Sequence, residues 1–279
     1  MRYCNNIILF GNIYVALGAV SLIQSTCIQL HFANSLFYYS VFVFFSTLFI
    51  YNLQRIFYKQ TENKSYNSIR RTWVFENQTT IKLLTLVGFV GMGICFFFND
   101  FRILFYLSPL FILSLAYFIP VVKLRKNAWF KLITLVVVWT MTTAIVPQLL
   151  NGFLINTAFI IHALTRFCFM LAICIPFDIR DMGIDKAENV STLPLQYGEK
   201  TTRNLALICI ILYIVFIVTE NFTSVISLSV LSGLLLSATA TLFFIAFCNS
   251  KRSEYYFVAG IDGTMILQGA ILIVGSLFQ

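Results

Sequence analysis

Three carboxylates stand together in the stretch Phe177-Asp178-Ile179-Arg180-Asp181-Met182-Gly183-Ile184-Asp185, spaced D-x-x-D-x-x-x-D. At about 100° per residue, positions i, i+3 and i+7 fall on one narrow stripe of an α-helix, so the three acids face the same way. Like charges on one stripe repel each other, and a divalent cation among them removes that repulsion. Hard oxygen ligands at a water-accessible helix end suit Mg2+, which keeps some of its waters and bridges to substrate phosphates. Asp178, Asp181 and Asp185 are therefore candidate metal ligands and catalytic residues. The plainer alternative is a solvated loop whose acids neutralise Arg180 and Lys186.

Other chemically capable residues are scattered. Arg166 lies about 12 residues before Asp178, which on one helix is roughly 18 Å and near mid-bilayer. An arginine at that depth costs at least about 2.5 kcal/mol and normally faces the bundle interior with a partner. Gln268, or Asp262 by snorkelling, has a suitable depth; the residue is a structural clamp or, alternatively, orients a polar head group. His31 and His162 are single and carry no motif. The seven Cys have no C-x-x-C spacing and read as packing residues, not as a disulfide framework or a zinc site.

The elements that must position these residues are membrane helices. Hydrophobic residues make up 59% of the chain, charged residues 11%, and mean hydropathy is +0.86, which excludes a soluble domain. Long apolar runs such as Leu83 to Phe98 and Leu205 to Val218 exclude a β-barrel, whose segments alternate. With 279 residues the chain has room for about nine or ten crossings and no separate soluble domain. The expected class is all-α, a multi-pass membrane bundle of nine transmembrane helices forming one domain over 1–279. The expected spans are 7–29, 35–57, 81–98, 101–122, 130–150, 154–177, 204–220, 223–248 and 256–278. No A-x-A-like cleavage site follows the first, which reads as a helix, not a signal peptide.

The net charge of +8 falls in short clusters between apolar runs, so it sets topology and does not indicate nucleic acid. Of the 19 Lys and Arg residues, 17 fall on one face, which the positive-inside rule makes cytoplasmic. The N-terminus is expected inside and the C-terminus outside, in the plasma (inner) membrane. The two long polar interruptions, Tyr58 to Thr80 and Asp178 to Arg203, then share the cytoplasmic side.

The acidic stretch and the following Ser191-Thr192-Leu193-Pro194-Leu195-Gln196-Tyr197-Gly198 closely resemble the second aspartate-rich motif and trailing T-L-P-x-x-x-G signature of UbiA-type intramembrane prenyltransferases. Tyr117-Phe118-Ile119-Pro120-Val121-Val122-Lys123-Leu124-Arg125-Lys126 is similar to that family's Y-x-x-P…K-R stretch. The resemblance covers about thirty residues by motif and most of the chain by topology. It implies a UbiA-like bundle with a lipid-open cavity that binds a prenyl diphosphate through Mg2+. An isoprenyl group is then transferred to an aromatic or other lipid-soluble acceptor.

The chain departs from the family at the end of the second span. Where a first acidic motif is expected, it reads Asn52-x-x-Arg55-x-x-x-Lys59. Arg and Lys cannot ligate a metal. They can instead bind a diphosphate directly, Arg as a bidentate fork and Lys as a point charge, with Asn52 and possible help from Lys123. Otherwise they are ordinary positive-inside residues beside a decayed site. Two functions follow: a membrane prenyltransferase, or a non-catalytic lipid-phosphate-binding or scaffold protein with the same fold. A transporter fits poorly, because no pair of Gly- or Pro-broken helices is present.

Overall fold

The computed structural model describes residues 2–32, 36–58, 68–118, 127–223 and 226–277. Its elements are helical: α1 (Arg2–Phe10), α2 (Ile13–Gln29), α3 (Phe37–Tyr58), α4 (Ile69–Glu76), α5 (Gln78–Phe96) and α6 (Arg102–Phe118). They continue with α7 (Ala128–Leu150), α8 (Thr157–Ala187), α9 (Leu193–Tyr197), α10 (Glu199–Thr223), α11 (Leu228–Ala246) and α12 (Tyr256–Ser276). Seven of these are long and apolar enough to cross a membrane, namely α3, α5, α7, α8, α10, α11 and α12. The first and fourth expected spans correspond to the shorter apolar helices α2 and α6. Of the nine expected crossings, seven therefore meet the criterion of length.

The shortening of the first span has a local cause. Asn12 adopts a left-handed conformation with φ of 64°, which ends one helix and starts the next inside an otherwise apolar run. The sixth expected span is corrected in the other direction. The region from Asp178 was read as a polar interruption, yet α8 continues through the acidic stretch to Ala187, 31 residues in all. Loss of apolar character marks where a chain leaves the lipid, not where its helix stops. This continuation puts Asp178, Asp181 and Asp185 on a helix, as their spacing requires.

α8 is the central element, packed against α7 and α10, while α12 pairs with α2 and α11, and α3 with α2 and α5. Close approach rests on small residues, as expected where lipid supplies no hydrophobic drive for helix association. A Cβ on Gly88 of α5 would meet the Phe49 backbone nitrogen of α3 at 2.7 Å, and one on Gly269 of α12 would meet the Ser21 carbonyl of α2 at 2.7 Å. Large apolar side chains such as Leu86, Phe89, Ile112, Leu212 and Phe222 are exposed, as a lipid-facing surface requires. Two π-helical turns, Met141–Ile145 in α7 and Tyr256–Ile261 in α12, interrupt the regular helices. Both flank the cavity, where such bulges are frequent.

Candidate functional site

The bundle encloses a cavity of about 780 Å3, within the range of a small-molecule site. Most of its wall is apolar, formed by residues such as Val43, Leu107, Leu132, Val138, Met170 and Ile173. One end is charged. Arg55 comes from α3, Arg70 and Arg71 from α4, Lys131 from α7, and Asp178, Arg180, Asp181 and Asp185 from α8.

Each of these side chains is fixed by a local device. Asn127 caps α7 by accepting from the backbone N–H groups of Trp129 and Phe130, which sets the first turn that carries Lys131. Ser68 caps α4 by accepting from Arg71 N at 3.1 Å. Glu254 then accepts from the Ser68 hydroxyl and, at 2.6 Å, from Arg70 N. A carboxylate at a helix N-terminus is favourable both as hydrogen-bond acceptor and as counter-charge to the helix dipole. This clamp presents Arg70 and Arg71 to the acidic helix. Burial, with Arg180 beside it, pulls the Arg70 guanidinium below its ordinary pKa.

The three aspartates do not act as one group. Lys131 Nζ lies 2.6 Å from Asp178 Oδ1 and 3.5 Å from Asp185 Oδ2, so one ammonium bridges two carboxylates. Asp181 turns to the guanidinium groups: Arg180 donates to both its oxygens, at 2.8 and 2.7 Å, and Arg70 approaches to 3.5 Å. Arg180 itself lies over the Phe177 ring, 4.7 Å from its centroid. Farther along α8, Glu188 accepts from Arg71 at 3.0 Å.

Among the described residues no cluster of three or more acidic, His or Cys side chains is gathered that could hold a metal. The three-aspartate Mg2+ centre expected from spacing does not fit this arrangement. An ion within coordination distance of both Asp178 and Asp185 would meet the Lys131 ammonium. Asp178 Oδ2 is a buried carboxylate oxygen with no hydrogen-bond donor among the described residues.

The degenerate first motif divides into two roles. Arg55 lines the cavity, and its guanidinium donates to Asn12 Oδ1 at 2.8 Å. Asn52 does not reach the cavity, which corrects its reading as a diphosphate contact. It is fully buried, accepts from Asn12 Nδ2 at 3.0 Å, and donates to the carbonyls of Gly11 and Leu48 at 2.9 Å each. It thus pins the α1–α2 break to α3, and through Asn12 it orients Arg55. We expect Asn52→Ala to lower stability by about 1–3 kcal/mol, since it leaves buried groups on Asn12 and Gly11 without partners. Thermal unfolding in detergent measures this, and an unchanged midpoint would refute the clamp. Lys59 and Lys123 lie outside the described residues, as does most of the Tyr117–Lys126 stretch.

Lys131, Arg70 and Arg71 were missed as site residues because sequence reading counted them only toward topology. Their partners are far away in the chain. A sequence signal existed for Arg70 and Arg71, as adjacent cations in a short amphipathic segment between two spans. Asp262 also lines the cavity, within electrostatic reach of Arg180 and Arg70, so it is not the partner of Arg166. Gln268 is not that partner either, because it donates to Ser25.

The comparisons with known proteins agree with this architecture. Among curated proteins none matches the sequence. One solved structure is similar over 100% of both chains, with a TM-score of 0.59 and 14% identity. It is described as giving structural and mechanistic insights into the biosynthesis of digeranylgeranylglyceryl phosphate synthase in membranes. At that identity the likeness shows the fold. The model of the UbiA prenyltransferase family matches residues 60–259, well over half of the sequence, across the acids of α8 and their partners Arg70, Arg71, Lys131 and Arg180, though not Arg55. A membrane helix bundle with that fold, that match and a charged-ended apolar cavity is a member of the UbiA prenyltransferase family.

Proposed function

We propose that the chain is a membrane prenyltransferase that takes a prenyl diphosphate and passes its isoprenyl group to an aromatic or other lipid-soluble acceptor. The observation that carries this reading is the division of one cavity into a long apolar wall and a charged end. The isoprenyl chain is an apolar ligand for the wall. The diphosphate is an anionic ligand for Arg55, Arg70 and Lys131, and Lys59 and Lys123 belong to the same reading on sequence grounds. In the reaction the allylic C1–O bond breaks with its electron pair leaving on the diphosphate. A new bond forms from the acceptor to C1, and the acceptor loses a proton. Cations fixed at the diphosphate stabilise the charge that develops on the leaving group, and the dry wall excludes water from the allylic cation. The distribution of Lys and Arg supports a charged end on the cytoplasmic side.

UbiA prenyltransferases generally use Mg2+, but here Asp178 and Asp185 are engaged by Lys131 and Asp181 by Arg180, a donor set that does not fit the ion. The other reading, a lipid-phosphate-binding scaffold, keeps the same cavity without turnover.

The test is release of diphosphate from a prenyl diphosphate by purified protein in nanodiscs, together with binding by isothermal titration. Turnover with a lipid-soluble acceptor is the expected result. Tight binding with no turnover for any acceptor class would favour the scaffold, and no binding would defeat both readings. Arg55→Ala should weaken binding roughly 10- to 150-fold, as expected for one charge-assisted hydrogen bond, and Arg55→Lys should recover only part of it. An unchanged affinity in Arg55→Ala would show that this residue only obeys the topology rule.

A further inference from the structure

The described residues at the charged end of the cavity carry equal numbers of cations and acids. Among its described lining residues, Arg55, Arg70, Arg71, Lys131 and Arg180 balance Asp178, Asp181, Asp185, Glu188 and Asp262. A site that keeps a resident divalent ion carries carboxylates in excess, which the ion neutralises. Among the described residues that excess is missing, and the geometry shows why. Asp178 and Asp185 stand seven residues apart on α8, about 10 Å along its axis, yet both reach one ammonium from α7. That is the position of a bridging cation. Lys131 fills it from a capped helix turn, with side chains of Asp178 and Asp185 only 7% and 2% exposed. Asp181 is closed off in the same manner by Arg180 and Arg70.

The geometry points to Lys131 as the built-in cation of this site: it bridges Asp178 and Asp185 in the position of a divalent ion, and a prenyl diphosphate binds there without Mg2+. The inference rests on the prenyl-diphosphate reading above. It concerns the same site but reverses its cofactor requirement. A fixed ammonium does part of what a bound metal does for binding, by holding two acids in place beside the guanidinium groups of the cavity end. It differs in being unable to leave, so chelation cannot remove it.

The experiment uses the full chain in nanodiscs and a non-hydrolysable thiolodiphosphate analogue of geranylgeranyl diphosphate. Binding is measured by isothermal titration in excess EDTA and in Mg2+. Bound Mn2+ is measured by electron paramagnetic resonance with no diphosphate present. For the wild type we expect equal affinity with and without Mg2+, and no tightly held Mn2+. For Lys131→Met we expect a roughly 10- to 150-fold loss of affinity in EDTA, the size of one charge-assisted bond. We also expect part of that loss to return with Mg2+, and a Mn2+ signal to appear as Asp178 and Asp185 are released. Wild-type binding that requires Mg2+, or tight Mn2+ binding by the wild type, would overturn the inference and leave the prenyltransferase reading standing. No binding of the analogue in either condition would overturn both. Where Lys131→Met fails to fold, Lys131→Arg keeps the charge and should bind in EDTA, and Mg2+ dependence there would count against the proposal.

Discussion

Replacing Arg166 with alanine should cost about 1–3 kcal/mol, because it leaves the buried Leu22 carbonyl and Thr26 hydroxyl without their guanidinium donor. Arg166 is 3% exposed on α8 and donates to the Leu22 carbonyl at 3.1 Å and the Thr26 hydroxyl at 3.2 Å, both on α2. The Thr26 hydroxyl donates to the Thr143 carbonyl at 2.8 Å and lies 3.2 Å from His162 Nε2. His162 Nδ1 lies 2.7 Å from Glu220 Oε1, and Glu220, on α10, is fully buried. One buried polar network therefore ties α2, α7, α8 and α10. On the scale of soluble domains the unfolding midpoint should fall by about 2–12 °C. Glu220→Ala should act similarly from the other end of the network, by leaving the His162 imidazole without its partner. Detergent thermal unfolding of the two variants measures this. Single variants within 1 °C of the wild type would sink the network as a stabilising unit.

The burial of Arg166 within the bundle was readable from its distance to Asp178, but its partners were not. They are a threonine and a carbonyl of α2, and no local pattern marks such residues. The same contrast holds at the charged end. The D-x-x-D-x-x-x-D spacing gave a one-sided acidic stripe because helical periodicity is local. What neutralises the stripe was not legible, since Lys131 lies 47 residues away from Asp178 in the chain and meets it only through packing of α7 on α8. Asn52 shows the opposite failure. It occupies a family motif position, yet its side chain faces the α1–α2 break, and that break was hidden within an apolar run by two residues, Gly11 and Asn12. Composition set the fold class and most spans, because lipid forces every backbone group into a helix. The count of long crossings was harder, since helices can break within an apolar run or continue past its end.

The Asp181→Asn variant separates the two roles that this carboxylate has been given. A metal ligand at a wet helix end would lose Mg2+-dependent function on this change and stay as stable as the wild type. The structure instead places Asp181 as the anchor of two guanidinium groups, with Arg180 bound to both its oxygens and stacked on Phe177. Its neutral amide offers one acceptor oxygen in place of two and turns an N–H2 donor toward the cations. We expect a stability loss of about 3–5 kcal/mol, as for other broken, largely buried charge pairs. Arg180→Met should match it by leaving Asp181 to Arg70 alone at 3.5 Å. Diphosphate binding should move the other way. Asp181 competes with an incoming diphosphate for Arg70 and Arg180, so its neutralisation should leave affinity in EDTA unchanged or raised. Unfolding midpoints and isothermal titration on the same nanodisc samples read both effects. A fully stable Asp181→Asn protein that binds a prenyl diphosphate only weakly in Mg2+ would return Asp181 to the role of metal ligand. A destabilised one that binds at least as well as the wild type establishes that its carboxylate holds the cations in place.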